Sequence, residues 1–82
     1  MEQEILEALR PEFPDVQGSI ALEPATDRYN GHIVSQGFQT LSFVERQRRV
    51  FDRLRAHLGP EAQLISMLFT YTPAEYEQLQ AA

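Results

Sequence analysis

An arginine cluster is the feature of this chain best suited to chemistry with a partner. Five of the seven basic residues fall within ten positions, and lysine is absent. A guanidinium group forms paired hydrogen bonds with phosphate or carboxylate oxygens. On a helix, Arg46, Arg49 and Arg53 would share one face, and Arg48 and Arg55 would form a second row. The spacing indicates a face that could bind an anionic group.

The same cluster also permits a purely structural interpretation. Glu45 lies four positions before Arg49, and Asp52 lies four positions after Arg48. Side chains four positions apart are neighbours on a helix, so these residues could pair with each other on a solvated face. The sequence leaves both interpretations open.

No other residues form a recognisable catalytic or metal-binding pattern. The chain has no cysteine, which excludes a thiolate nucleophile and a cysteine-ligated metal or iron–sulfur site of its own. His32 and His57 are not at a metal-binding spacing with each other or with a carboxylate. The serines lack a nucleophile motif. We therefore expect a protein that is not an enzyme and holds no cofactor or metal.

Length and charge narrow the class of protein further. With 82 residues, we expect a single domain over positions 1–82. A net charge of −5 argues against a general attraction to nucleic acid or anionic lipid. The longest apolar runs, such as 64–69, are too short to span a bilayer, and residues 1–4 are acidic where a secretory signal would be basic. We expect a cytoplasmic protein without a membrane partner.

Hydrophobic periodicity and punctuation predict six elements. Ser42 and Glu45 form a capping-box pattern at the start of the arginine-bearing helix, and Gly59-Pro60 ends it. The apolar run 64–71 suggests a central strand buried on both faces, parallel to the preceding strand through a right-handed crossover. We also expect the aromatic side chains to build the core. The predicted elements are a helix over 2–10, strands over 16–23 and 29–35, a helix over 42–58, a strand over 64–71 and a helix over 73–80.

This αββαβα order predicts an α+β fold with a three-stranded mixed sheet. The first two strands would form an antiparallel hairpin, although Gly31 weakens the pattern of the second.

Three separated parts of the sequence keep the order and spacing of a known family. They are Ile-Val-Ser-Gln-Gly-Phe at 33–38, Arg-Gln-Arg-Arg-Val-Phe at 46–51, and Ile-Ser-Met at 65–67 followed by Thr-Pro-Ala-Glu-Tyr at 72–76. Through them the chain, from about residue 5 to residue 77, resembles the BolA family. The resemblance implies a fold related in shape to the class II KH domain. It also implies a regulatory role linked to iron–sulfur, redox or stress biology, with a monothiol glutaredoxin as the partner.

The chain departs from the family pattern at the positions that matter for iron. Gln47 stands where the family has a histidine in its Arg-His-Arg sequence, and Gln63 stands where a histidine begins the third strand. Arg28 replaces a histidine that often enters the second strand, and Thr40 replaces a glycine. The third-strand histidine is implicated in sharing a [2Fe–2S] cluster with the glutaredoxin. Because an amide oxygen binds iron weakly, we do not expect this chain to ligate a cluster.

Three hypotheses about function follow. The first is an adaptor that docks a protein partner on the helix around 46–53 and the loop at 36–41. The second is a small nucleic-acid-binding transcriptional regulator that uses the 46–55 helix, as proposed for BolA-like proteins; a Gly-x-x-Gly clamp for RNA is missing. The third is a structural subunit of a larger assembly. The candidate contact residues are Arg46, Gln47, Arg48, Arg49, Arg53 and Gln63.

Overall fold

The computed structural model describes residues 1–81 and confirms the αββαβα order of an α+β fold. Two short 3-10 helices, which the sequence did not predict, flank the long helix: one precedes it at Gln36–Phe38 and the other follows it at Gly59–Leu64. The helices are α1 (Glu2–Leu9), α2 (Phe43–Leu58) and α3 (Pro73–Ala81), and the strands are β1 (Gln17–Glu23), β2 (Arg28–Val34) and β3 (Ile65–Tyr71).

The ends of α2 and the start of α3 follow the capping signals in the sequence. The Ser42 hydroxyl accepts a hydrogen bond from the Glu45 amide at 3.2 Å. Gly59 ends the helix at a φ of 59°, a conformation that favours glycine. At α3, Thr72 and Glu75 each accept a hydrogen bond from the other's backbone amide. These caps fix both ends of α2 and the start of α3.

The three strands lie in the order β1-β2-β3, with β1 antiparallel and β3 parallel to β2. The hairpin and the mixed sheet are therefore confirmed, whereas the placement of β3 as a central strand buried on both faces is wrong. The central strand is β2, and β3 lies at an edge with Met67 and Phe69 51% and 47% exposed. Helices α1 and α2 cover only one face of β3, and the apolar side chains of Met67 and Phe69 lie on the other.

The core lies between that covered face and the helices α1 and α2. Ile20, Ile33 and Leu68 contribute the sheet side of one buried cluster. Leu9 and Leu54 contribute the helix side, and both are fully buried. In the part of the chain that the structure describes, the opposite face of the sheet carries only α3, a helix without a buried residue. No helix among residues 1–81 is long and apolar enough to cross a membrane.

Gly31 weakens the strand pattern in the sequence, but the packing of the strands at the centre of the sheet explains why glycine is present. A Cβ at this position would collide with the carbonyl oxygen of Ser19 on β1. Gly18 faces the same constraint against the carbonyl of His32. The close approach of β1 and β2 therefore requires glycine at both positions.

Candidate functional site

The side chain of Arg46 lies inside the protein, not on its surface. The residue is 8% exposed, and its Nε donates to the carbonyls of Phe38 and Leu41 at 3.0 and 3.2 Å. Its Nη1 donates to the carbonyl of Thr70 at 3.3 Å and to the carboxylate of Glu75 at 2.7 Å. Its guanidinium therefore joins the loop before α2, strand β3 and helix α3, and is engaged within the chain.

Gln47 also makes an internal contact, at the free edge of β3. Its side-chain amide donates to the carbonyl of Leu68 at 2.8 Å, beside the Arg46 contact with Thr70. The carbonyls of an edge strand have no neighbouring strand to pair with and need other donors. Arg46 and Gln47 thus cap this edge of the sheet from α2.

Two further arginines connect α2 to the N-terminal part of the chain. Arg49 pairs with Glu12 at 3.0 Å and lies 3.9 Å from Glu45, which confirms the predicted Arg49–Glu45 pair. The Nε of Arg53 donates to the carbonyl of Ala8 at 3.2 Å. The row that the sequence suggests as an anion-binding face is directed largely toward α1 and the sheet.

The exposed arginines of α2 each have a carboxylate partner. Arg48 pairs with Glu45 at 3.1 Å and Arg55 pairs with Asp52 at 2.7 Å, so the predicted Arg48–Asp52 pair is wrong. In both observed pairs the acid precedes the base along the helix, which is the favourable order in the field of the helix dipole. The positive charges of Arg48 and Arg55 are therefore neutralised locally.

Gln63 and Arg28, which occupy two histidine positions of the resemblance, meet at the surface. Nη1 of Arg28 donates to the backbone carbonyl of Gln63 at 3.2 Å. A guanidinium cation cannot ligate iron, and a neutral amide is a weak ligand, so this donor set does not fit a [2Fe–2S] cluster. In the described part of the chain, no group of three or more His, Cys, Asp or Glu side chains could hold a metal ion.

The loop at 36–41 is held in place by hydrogen bonds at its start, and part of it is exposed. Asp15 accepts hydrogen bonds from the Ser35 hydroxyl at 2.6 Å and from the Gln36 amide at 2.8 Å. These hydrogen bonds, the first the stronger, lower the pKa of Asp15 below its usual value. Phe38 is fully buried, whereas Gln36 and Gly37 are exposed. The loop is thus held in one place on the surface.

An apolar surface around α3 is the functional candidate that sequence reasoning missed. Phe43 at the start of α2 is 58% exposed and Leu79 on α3 is 56% exposed, although we expected the aromatic residue in the core. In the folded chain, both side chains lie outside the core between the sheet and the helices α1 and α2. We define the α3 surface as the exposed side chains of Phe43, Val44, Met67, Phe69 and Leu79.

Two grooves run through the α3 surface, one on each side of α3. The first, of about 480 Å³, lies between α3 and the start of α2 and is lined by Phe43, Tyr71 and Leu79 among others. The second, of about 460 Å³, lies over the open face of the sheet beside Phe69 and Tyr76. Leu79 lines both grooves. The two grooves therefore connect the exposed side chains of Phe43, Leu79 and Phe69.

Helix α3 is fixed over the open face by one ion pair and by aromatic contacts. The ring of His32 on β2 stacks on Tyr76 of α3, with centroids 4.8 Å apart and an angle of 19°. Phe69 and Tyr71 stack beside them at 6.3 Å. On α3, the hydrogen bond from Arg46 is the main cause that lowers the pKa of Glu75, followed by the amide of Thr72. The grooves thus have a defined shape.

Comparison with solved structures identifies similar folds. BolA1 from Arabidopsis thaliana superposes with a TM-score of 0.68 at 27% identity, covering 90% of this chain and 93% of that one. The BolA domain of SufE1 from Arabidopsis thaliana gives 0.69 at 28% identity with the same coverage. A bol-like protein from Babesia bovis gives 0.63 over 98% of this chain and 93% of that one; at 24% identity it supports the fold alone.

No protein-family model matches the chain, and no curated protein matches its sequence. The likeness rests on the three-dimensional structures, with sequence identity of 27% and 28% to the two Arabidopsis thaliana proteins.

Proposed function

We propose, from the premise that this chain is a BolA-like protein, that it is a non-catalytic adaptor that binds a protein partner through the α3 surface. The observation that supports this proposal is the group of large apolar side chains, Phe43, Phe69 and Leu79, exposed around two grooves. Contiguous exposed apolar side chains are a mark of protein interfaces.

The charges beside the α3 surface favour a protein partner over a nucleic acid. Arg48 lies one helical turn after Val44 and is paired with Glu45, and Arg46 is paired with Glu75. Phosphate recognition needs free cationic groups, which this surface does not offer. An apolar centre with a rim of paired charges suits a protein interface.

The partner we propose is a monothiol glutaredoxin, the partner that the BolA resemblance implies. In this proposal the chain contributes a docking surface and no ligand to a cluster, because Arg28 and Gln63 stand where imidazoles would be needed. A cluster in the complex would be held by the glutaredoxin and its own cofactors.

The test is a calorimetric titration of this chain with the monothiol glutaredoxins of the same cell. Leu79→Asp places a charge between the two grooves and should weaken the complex by at least about tenfold, which is about 1.4 kcal/mol. The matched control is Leu22→Asp, because Leu22 is 47% exposed but lies on β1, away from α3. Absence of any complex, or equal weakening by both variants, would contradict the proposal.

A second titration separates docking from cluster ligation. Cluster-loaded and cluster-free glutaredoxin should bind with similar affinity, and the visible absorption of the cluster should not change on binding. A change in the cluster spectrum that disappears in a Gln63→Ala variant would show that this chain does provide a ligand.

A further inference from the structure

The two edges of the sheet differ in how their backbone groups are satisfied. At the β3 edge, the carbonyls of Leu68 and Thr70 accept hydrogen bonds from side chains of α2. At the β1 edge, among residues 1–81, the backbone of 18–22 makes hydrogen bonds only within the β1–β2 ladder. Alternate residues of β1 therefore present unpaired N–H and C=O groups to the outside.

Strand β1 also lacks the residues that usually protect an edge strand. Its sequence, Gln-Gly-Ser-Ile-Ala-Leu-Glu, contains no proline, lysine or arginine, and its one charged residue is Glu23 at the end. Natural edge strands avoid pairing with other chains through such residues or through coverage by another element. With seven residues, β1 is long enough to pair with another strand.

We infer that β1 pairs with β1 of a second copy of this chain, in antiparallel orientation and centred on Ile20. This register places Ser19 opposite Ala21 of the second copy, and the reverse. The two residues of each opposing pair are an even number of positions apart in the sequence, so their backbone groups point to the same side of the strand. The residues whose N–H and C=O groups face outward therefore meet each other across the interface. The two sheets of three strands would then form one continuous sheet.

Side chains at both ends of β1 fit this register. Leu22, 47% exposed, would lie opposite Gly18 of the second copy, a position without a side chain that leaves room for the leucine. Glu23 would lie opposite Gln17, an amide that can donate to the carboxylate. A parallel arrangement would instead set Glu23 beside Glu23, which is destabilising. The charges therefore select the antiparallel dimer.

This interface is separate from the α3 surface. Strand β1 occupies one edge of the sheet, whereas α3 packs over the open face against β2 and β3. A dimer through β1 would thus present two α3 surfaces. The pairing of a single strand buries a small area, so we expect a reversible monomer–dimer equilibrium that depends on concentration.

Sedimentation equilibrium from micromolar to millimolar concentration tests the inference. The wild-type chain should dimerise as its concentration rises. Ser19→Lys with Ala21→Lys places lysines opposite lysines across the interface and should leave a monomer, since both side chains are exposed and tolerate the change. Gln39→Lys with Gln78→Lys adds the same charge at exposed positions outside β1 and should leave dimerisation unchanged.

Mixing two variants of opposite charge distinguishes repulsion between β1 strands from damage to the fold. The lysine variant mixed with Ser19→Glu and Ala21→Glu should form a heterodimer. A monomeric wild-type chain at millimolar concentration, a lysine variant that dimerises like wild type, or a mixture that stays monomeric would each overturn the inference. If the variants unfold, mixed isotope-labelled and unlabelled wild-type chains decide: intermolecular contacts between β1 strands support the dimer, and their absence refutes it.

Discussion

Arg46 and Glu75, 29 positions apart, form a two-pronged ion pair with nitrogen–oxygen distances of 2.7 and 3.1 Å. The two sides of the pair differ in environment, since the side chain of Arg46 is 10% exposed and that of Glu75 is 47% exposed. The arginine also satisfies three backbone carbonyls, whereas the carboxylate faces solvent. Removing the arginine should therefore cost more stability than removing the carboxylate charge.

We predict that Arg46→Met lowers the free energy of unfolding by about 2–4 kcal/mol, because it leaves buried carbonyls without donors. Glu75→Gln keeps a capping side chain for α3 and should cost about 1 kcal/mol. Urea unfolding of both variants measures the difference. Equal losses, or a larger loss for Glu75→Gln, would contradict the structural role of Arg46.

Stability should fall in acid because two carboxyl groups have lowered pKa values in the folded chain. The unfolded chain takes up protons at the ordinary values of 3.8 for Asp15 and 4.5 for Glu75, before the folded protein does. These groups therefore add stability above the ordinary values, and that stability is lost as the pH falls through the lowered folded values.

Asp15→Asn tests the stability that comes from the hydrogen bonds of Asp15 to the loop before α2. At neutral pH the variant should be less stable than wild type, and the difference should shrink as the pH falls below the ordinary pKa of Asp15, 3.8, because wild type then loses the same charged hydrogen bonds. Urea unfolding over this pH range measures both. A difference that stays constant would show that the Ser35 and Gln36 contacts do not depend on the charge.

The sequence predicted the elements well because its local signals agree with the packing. Ser42 and Gly59 mark the ends of α2 through cap chemistry, which depends on neighbouring residues alone. The role of Arg46 could not be read in this way, since its partners Thr70 and Glu75 lie far away in the chain. A signal was nevertheless present, because Arg46 lies on the same buried face of α2 as its apolar residues. A polar side chain on such a face needs hydrogen-bond partners inside the protein.

The exposure of β3 could not be predicted from its composition. An apolar run is equally suited to a strand covered on both faces and to an edge strand with an apolar open face. Only the strand order and the number of covering helices decide between them. Met67 and Phe69 are exposed because, among residues 1–81, α3 is the only helix that packs on that face.

Gly31→Ala should destabilise the sheet by about 1–3 kcal/mol, because the added methyl group collides with the carbonyl oxygen of Ser19 and the strands must separate. Gly59→Ala is the control. At Gly59 a Cβ would meet no atom within 4 Å, and only the positive φ of 59° opposes it. Thermal unfolding of both variants tests the origin of the effect: a loss at Gly31 no larger than that at Gly59 would mean that β1 and β2 adjust to a side chain.

Nucleic-acid binding should be weak at physiological salt, because Arg48 and Arg55 are paired with Glu45 and Asp52. Affinity for DNA comes largely from counterion release by free cationic side chains. Glu45→Gln with Asp52→Asn removes both carboxylates and should raise the affinity for duplex DNA at low salt, measured by fluorescence anisotropy. Glu2→Gln with Glu7→Gln, at exposed positions of α1, changes the net charge equally and should have a smaller effect. Tight binding by the wild-type chain that falls in Arg48→Ala would instead support the regulator hypothesis, with the arginines leaving their carboxylates to contact phosphates.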